Sequence, residues 1–149
     1  MSVFRKLLSL CVAVLCVMSF TACSQSGSSP TDYGFSVQLP ESVQENIRYD
    51  LSNREVGDET INTINVVYEG ETGEANILTF EEMSSAMWEQ MQLEGGPLPT
   101  ELGASEDGRV VVMYPLQSNP YEAGTADADA VDQFVSESSI VTESFQFLQ

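Results

Sequence analysis

Four successive segments have strand character: apolar and polar side chains alternate along residues 33–39 and 47–51, residues 61–68 are rich in β-branched side chains, and residues 76–80 follow the hairpin loop. A period of two is typical of a strand with one buried and one solvated face. Pro40 ends the first segment, and the turn at Gly57 and the glycine-containing loop at 69–74 separate the later ones. Short links of this kind join neighbouring strands as hairpins. The pattern therefore predicts a largely antiparallel sheet.

A helix is predicted directly after these segments. Four of five positions on one helical face of residues 83–91 are apolar. Ser84 or Ser85 can cap its start, whereas Thr79 with Glu82 matches a capping box several residues earlier. The start of this helix is left open by the sequence.

The rest of the chain adds strands at 100–104 and 109–116, a helix after the N-cap Thr125, and a closing strand at 144–148. Together the segments predict an α+β fold: a largely antiparallel sheet of about six or seven strands with two packed helices. Residues 33–149 are expected to form this single domain.

The N-terminus carries a different pattern. Arg5 and Lys6 precede an uncharged, mostly apolar run at 7–20, and small residues follow, which is the layout of a secretory signal over residues 1–22. The run is short for a transmembrane helix, which needs about 20 apolar residues. The sequence Phe20–Cys23 (FTAC) resembles the lipobox of bacterial lipoproteins, with Phe20 where leucine is usual.

That resemblance implies cleavage before Cys23 and a diacylglyceryl group on its thiol. The alternative is an ordinary cleaved signal in which Cys23 is incidental. Cys23 would be the only cysteine of the processed chain, so no internal disulfide is expected. Residues 23–32 are polar and rich in serine and glycine, which predicts a flexible tether that spans roughly 30 Å when extended.

Both ends of the domain resemble PsbP-like domains. Tyr33–Pro40 (YGFSVQLP) is similar to their opening strand, and the last helix with Ser144–Phe147 (SFQF) is similar to their closing elements. Val43 departs from the usual aromatic residue after the opening strand. The resemblance implies a PsbP-like fold and transfers no functional residue.

Charge limits the partners of this domain. The chain has 23 acidic residues and a formal net charge of −18, which becomes −20 when Arg5 and Lys6 leave with the signal. Such a field opposes binding to nucleic acid. The acidic composition is typical of a well-solvated surface. Alternatively, it serves to attract a basic protein, a cationic peptide or a cation. The membrane is expected as a partner through the lipid on Cys23.

No catalytic, cofactor or metal site is predicted. The chain has no histidine, and its one lysine belongs to the signal, so neither a Ser-His-Asp triad nor Schiff-base chemistry is available. Asp127, Asp129 and Asp132 begin like a calcium loop, but Asp132 stands at the glycine position and Ser138 at the position of the last glutamate ligand. These aspartates are predicted to lie on a solvated helix N-terminus, where the helix dipole favours acids.

Two aromatic side chains are singled out. Trp88 lies next to methionines and is predicted in the core. Tyr121 lies in the loop 119–124 and is predicted to be an exposed contact residue.

These features favour a non-catalytic accessory or binding protein of unknown ligand, lipid-anchored at the cell membrane on its extracytoplasmic side. The alternative is a small carboxylate-dependent hydrolase acting on cell-envelope glycans or peptides, because such enzymes need only a facing pair of acids.

Overall fold

The structure is a computed structural model that describes residues 29–149. The predicted signal, the lipidation site Cys23 and most of the predicted tether lie outside these residues. The strands are β1 (Phe35–Ser36), β2 (Ile47–Val56), β3 (Glu59–Gly70), β4 (Gly73–Ser84), β5 (Thr100–Ala104), β6 (Arg109–Pro115) and β7 (Gln146–Phe147). The helices are α1 (Glu41–Gln44), α2 (Ser85–Glu94), α3 (Ala126–Ser136) and α4 (Ser139–Ser144).

The predicted α+β fold is confirmed. Five strands form one antiparallel sheet in the order β2-β3-β4-β6-β5, so β2 and β5 are its edges. The other two strands, β1 and β7, pair with each other and form a separate two-stranded sheet, with Phe35 opposite Phe147. The chain therefore has seven described strands, but they are divided between two sheets.

Side chains of the larger sheet point alternately to its two faces, and each face packs into its own hydrophobic core. Val111 and Met113 of β6 point to the side on which Val131 and Phe134 of α3 pack, together with residues of α1, α4 and the small sheet. Val110 and Val112 point to the other side and pack with Met87 and Trp88 of α2. The predicted core position of Trp88 is confirmed, because only 7% of its surface is exposed.

The sheet strands extend further than the alternating pattern indicated. In β2, residues 52–55 are polar and exposed, and they are strand because they pair with β3 along the hairpin, not because a face is buried. In β4, the strand continues to Ser84 through the buried Glu81 and Glu82. The capping-box start of the helix at Thr79 is therefore wrong, and Ser84 is the N-cap, accepting a hydrogen bond from the Met87 amide at 3.1 Å.

The two ends of the domain differ most from prediction. The opening strand is only Phe35–Ser36, the short helices α1 and α4 were not predicted, and the closing strand is shortened to Gln146–Phe147. The last tether residues lie in a 3-10 helix, Pro30–Tyr33, in which Pro30 is buried. The folded region thus begins slightly before Tyr33. The predicted N-cap Thr125 is confirmed, since its side chain accepts from the Ala128 amide.

Arg109 ties the small sheet to the larger one. Its guanidinium donates to the Tyr33 carbonyl at 3.2 Å, lies 3.4 Å from Glu82, and stacks 5.3 Å from the centre of the Phe147 ring. A cation over an aromatic face contributes attraction beyond simple packing.

None of the helices described in residues 29–149 is long and apolar enough to cross a bilayer.

Candidate functional site

A groove of about 700 Å³ runs beside the first half of edge strand β2. It is lined by the extended segment that follows β1, the end of α1, the start of β2 and the end of β3, namely Val37, Gln38, Leu39, Gln44, Ile47, Arg48, Tyr49 and Glu69. Consecutive strand residues point to opposite faces of a sheet. A cavity that contacts Ile47, Arg48 and Tyr49 together must therefore lie along the edge of β2.

Hydrogen bonds hold the wall of the groove that faces β2. Pro40 cannot continue the segment as a paired strand and stands instead at the N-cap of α1. The amide of Gln38 donates to the Ser144 hydroxyl at 2.7 Å, and the side chain of Gln44 donates to the Leu39 carbonyl. The wall is thus fixed to α4 on one side and closed by α1 on the other.

One backbone hydrogen bond at the start of β2 shows which residues of this strand face the open edge of the sheet. The Glu69 amide donates to the Asn46 carbonyl at 2.7 Å, and these residues continue the register in which Ile47 lies opposite Tyr68. In an antiparallel ladder, residues that bond to the neighbouring strand alternate with residues whose groups point away from it. The odd-numbered residues of β2 therefore direct their backbone N–H and C=O groups outward: Ile47, Tyr49, Leu51, Asn53 and Glu55.

Carboxylates surround Arg48 at the rim of the groove: Glu69 lines the groove together with Arg48, and Asp50 and Glu74 lie just outside its lining. Arg48 forms ion pairs with Asp50, with Glu69 at 3.2 Å and with Glu74, so one positive charge meets three negative ones. The Arg48 guanidinium donates hydrogen bonds to Asp50 and to Glu74, and these bonds, that to Asp50 first, raise its pKa. On the inner side, burial raises the pKa of Tyr49. The groove thus combines apolar walls with a net acidic rim.

A second polar cluster lies on the face of the sheet that carries α2. Arg54 contacts the buried Glu81 at 3.2 Å, and the Tyr114 hydroxyl donates to the same carboxylate at 3.1 Å. Burial and then the charge of Glu81 raise the pKa of Tyr114 to about 12. The phenol therefore stays protonated near neutral pH and serves as a hydrogen-bond donor.

The neighbouring Glu82 points to the opposite face. Its carboxylate accepts from Asn62 at 2.8 Å and pairs with Arg109. It lies beside a cleft of about 290 Å³ that Glu59 and Asp107 also line. Because Glu81 and Glu82 are adjacent in a strand, they do not face each other as a hydrolytic pair would.

Asp127 corrects the prediction of a solvated acidic helix start. Only 3% of its surface is exposed, and it accepts hydrogen bonds from the amides of Glu71 and Thr72 at 3.0 Å and from the Thr72 hydroxyl at 2.8 Å. The Thr72 amide, against the effect of burial, lowers the pKa of this carboxyl. Asp127 thus fastens α3 to the turn between β3 and β4. Its neighbour Asp129 is exposed, as predicted.

Asp132 is the third aspartate of the segment that begins like a calcium loop. It accepts a hydrogen bond from Asn119 at 2.8 Å. Within residues 29–149, no group of three acidic side chains is arranged to hold a metal ion.

Tyr121 is also corrected. It is half-buried: its hydroxyl donates to the Gly73 carbonyl at 2.8 Å, and its ring meets the Tyr68 ring edge-on at 5.7 Å. It therefore supports the β3–β4 turn and is not a free contact residue. The sequence analysis did not predict the groove, although it marked Pro40, which stands at the N-cap of α1 beside the groove, as the end of the opening segment.

Comparison of the chain with protein-family models, with curated proteins and with solved structures finds no match. The resemblance of its two ends to PsbP-like domains stays a prediction. Function therefore has to be inferred from the geometry.

Proposed function

We propose that the protein is an accessory or binding protein, anchored by lipid on Cys23 at the extracytoplasmic side of the cell membrane, and that the groove beside β2 is its ligand site. The groove is the observation that supports ligand binding. Its volume lies within the range of small-ligand pockets, and its walls combine apolar side chains with a few polar groups. The anchor is supported by the N-terminal sequence pattern that ends at Cys23.

The carboxylate-dependent hydrolase receives less support. The two buried glutamates, Glu81 and Glu82, each have an arginine partner and point to opposite faces of the sheet. Such paired carboxylates are typical of structural ion pairs. The cleft beside Glu82 does hold two further acids, Glu59 and Asp107, but Arg109 pairs with both Glu82 and Asp107 there, whereas a hydrolase needs one acid of the pair held protonated.

The anchor is tested with Cys23→Ala. The protein should leave the membrane fraction or accumulate unprocessed, because the thiol that receives the lipid is gone. A serine variant in the tether, Ser26→Ala, is the matched control and should stay in the membrane fraction. Normal processing and membrane retention of Cys23→Ala would contradict the lipid anchor.

The groove is tested with Gln38→Trp, which places a large ring on an exposed lining residue. Gln92→Trp on the exposed side of α2 is the control. Peptides and cell-envelope glycan fragments are screened for those that raise the melting temperature of the unaltered protein. A ligand that stabilises the control but not Gln38→Trp supports the groove, and equal stabilisation of all three proteins contradicts it. Mass spectrometry of the same mixtures detects turnover, which would favour the hydrolase.

A further inference from the structure

We infer that the groove takes an extended cationic polypeptide segment, which adds to the edge of β2 as a sixth strand of the larger sheet. This inference rests on the proposed binding function and specifies the partner. It combines three properties of the same place: the open backbone of β2, the apolar hollow beside it and the acidic rim.

The backbone of β2 is prepared for another strand. Its odd-numbered residues direct both backbone groups away from β3, and within residues 29–149 no hydrogen bond reaches these outward groups. The pairing of β2 with β3 runs over the whole strand without a register shift. A long, regular edge is a template for strand addition.

The other edge of the sheet is less suitable. Strand β5 has only five residues, and its pairing with β6 shifts register between Glu101 and Gly103. The Phe145 ring also packs closely on Gly103, so that an added Cβ there would lie 2.7 Å from a ring carbon. Strand addition is therefore favoured at β2.

The groove supplies a place for side chains of the added strand. In strand addition, main-chain hydrogen bonds give affinity, and pockets for alternate side chains give specificity. Leu39, Ile47 and Tyr49 form an apolar part of the groove directly beside the outward groups of β2. An apolar side chain on every second residue of the ligand would enter it.

Charge selects a cationic segment. At the rim, Arg48 is outnumbered by its three carboxylate partners. The other two arginines of the domain are paired with Glu81 and with Glu82 and Asp107. A second copy of this acidic chain would bring like charge to the same edge, so it is a poorer occupant than a basic segment.

The experiment uses the full chain purified in a non-ionic detergent. The probe is a fluorescently labelled, end-blocked peptide of alternating lysine and valine, about eight residues long, which is the length of an ordinary strand. A second peptide has the same sequence with alternate backbone nitrogens methylated on one edge. Fluorescence anisotropy measures both affinities at about 50 mM and about 500 mM salt, a range over which surface charges become strongly screened.

We expect the unmethylated peptide to bind and the methylated peptide to bind about tenfold or more weakly, because two or more backbone hydrogen bonds are lost. Higher salt should weaken binding severalfold, and an alternating glutamate and valine peptide should not bind. Asn53→Pro removes one outward N–H without touching the bonds to β3, and should weaken binding. Asn53→Thr keeps that N–H and should bind like the unaltered protein.

Equal affinities for the methylated and unmethylated peptides would overturn strand addition, and if Gln38→Trp still abolished that binding, the groove would remain a ligand site. Binding of the glutamate peptide as tightly as the lysine peptide would overturn the charge selection. Absence of binding by the lysine peptide, or a protein that self-associates through β2 at low salt, would overturn the inference, while the ligand screen and Cys23→Ala test the proposed function separately.

Discussion

The substitution Gly70→Ala adds a single methyl group, and we expect it to lower the stability of the domain substantially. An added Cβ at this position would lie 2.7–2.8 Å from three atoms of the Asp127 carboxyl group. Ordinary contacts of this kind begin at 3.4 Å, so the carboxyl group would have to move by about 0.7 Å. Its hydrogen bonds to the turn amides, now 3.0 Å long, would then exceed the usual range.

Overpacking of this kind costs about 1–3 kcal/mol of the free energy of unfolding. For a domain of this size, 1 kcal/mol corresponds to roughly 4 °C in melting temperature, so Gly70→Ala should melt about 4–12 °C lower. The backbone at Gly70 does not have a positive φ, so alanine brings no conformational strain of its own. Far-ultraviolet circular dichroism, which reports secondary structure, would follow the transition.

A double-mutant cycle separates the clash from other effects. In an Asp127→Ala background the atoms that the new methyl group meets are gone, and Gly70→Ala should be neutral or stabilise by up to about 1 kcal/mol, since alanine has less freedom than glycine to lose on folding. If Gly70→Ala destabilises both backgrounds equally, then the contact between Gly70 and Asp127 is not the cause and the reasoning is refuted.

Three further predictions concern stability. The lowered pKa of Asp127 adds stability that is complete above its usual value of 3.8 and is lost as the pH falls through the lowered pKa, so the stability difference between the unaltered protein and Asp127→Asn should shrink as the pH falls below 3.8; a constant difference would contradict this. Trp88→Phe removes the indole donor that reaches Glu101 at 2.8 Å and leaves unfilled volume, so urea unfolding should show a loss of about 1–2 kcal/mol, whereas Trp88→Ala should lose more. Added sodium chloride at about 0.1–0.5 M should raise the melting temperature, because it screens the repulsion among 23 acidic residues, and a fall would mean that the arginine ion pairs matter more.

The sequence was sufficient to predict the fold class because apolar alternation reports buried strand faces directly. Alternation correctly indicates the start of β2, and the β-branched and apolar runs of β3 and β6 lie close to where they predict strands. It stops being informative where a strand is solvated on both faces, as in the second half of β2, and where a buried position is charged. Glu81 and Glu82 look like the end of a strand, and only their arginine partners, distant in sequence, make them part of its interior.

The candidate site was not predictable for a related reason. The groove depends on how the segment after β1 is held by Ser144 and closed by Gln44, and neither contact has a local sequence signature. Asp127 was expected to be solvated because its position in a helix start explains an acid without a partner. Its partners are the amides of a turn more than fifty residues earlier, which no residue pattern specifies.

The pairing of β1 with β7 has a consequence for the order in which the chain folds. The larger sheet is built from neighbouring segments joined by hairpins, with only the β4–β6 contact bridging a helix and another strand. The small sheet instead closes a long loop: Gln38 finds its acceptor on Ser144, 106 residues further along. Because local contacts form at a lower entropic cost than distant ones, we expect the five-stranded sheet to assemble first and the two chain ends to meet last. The wall of the groove that includes Gln38 would then be the last part of the ligand site to form, and the first to open when the native state fluctuates.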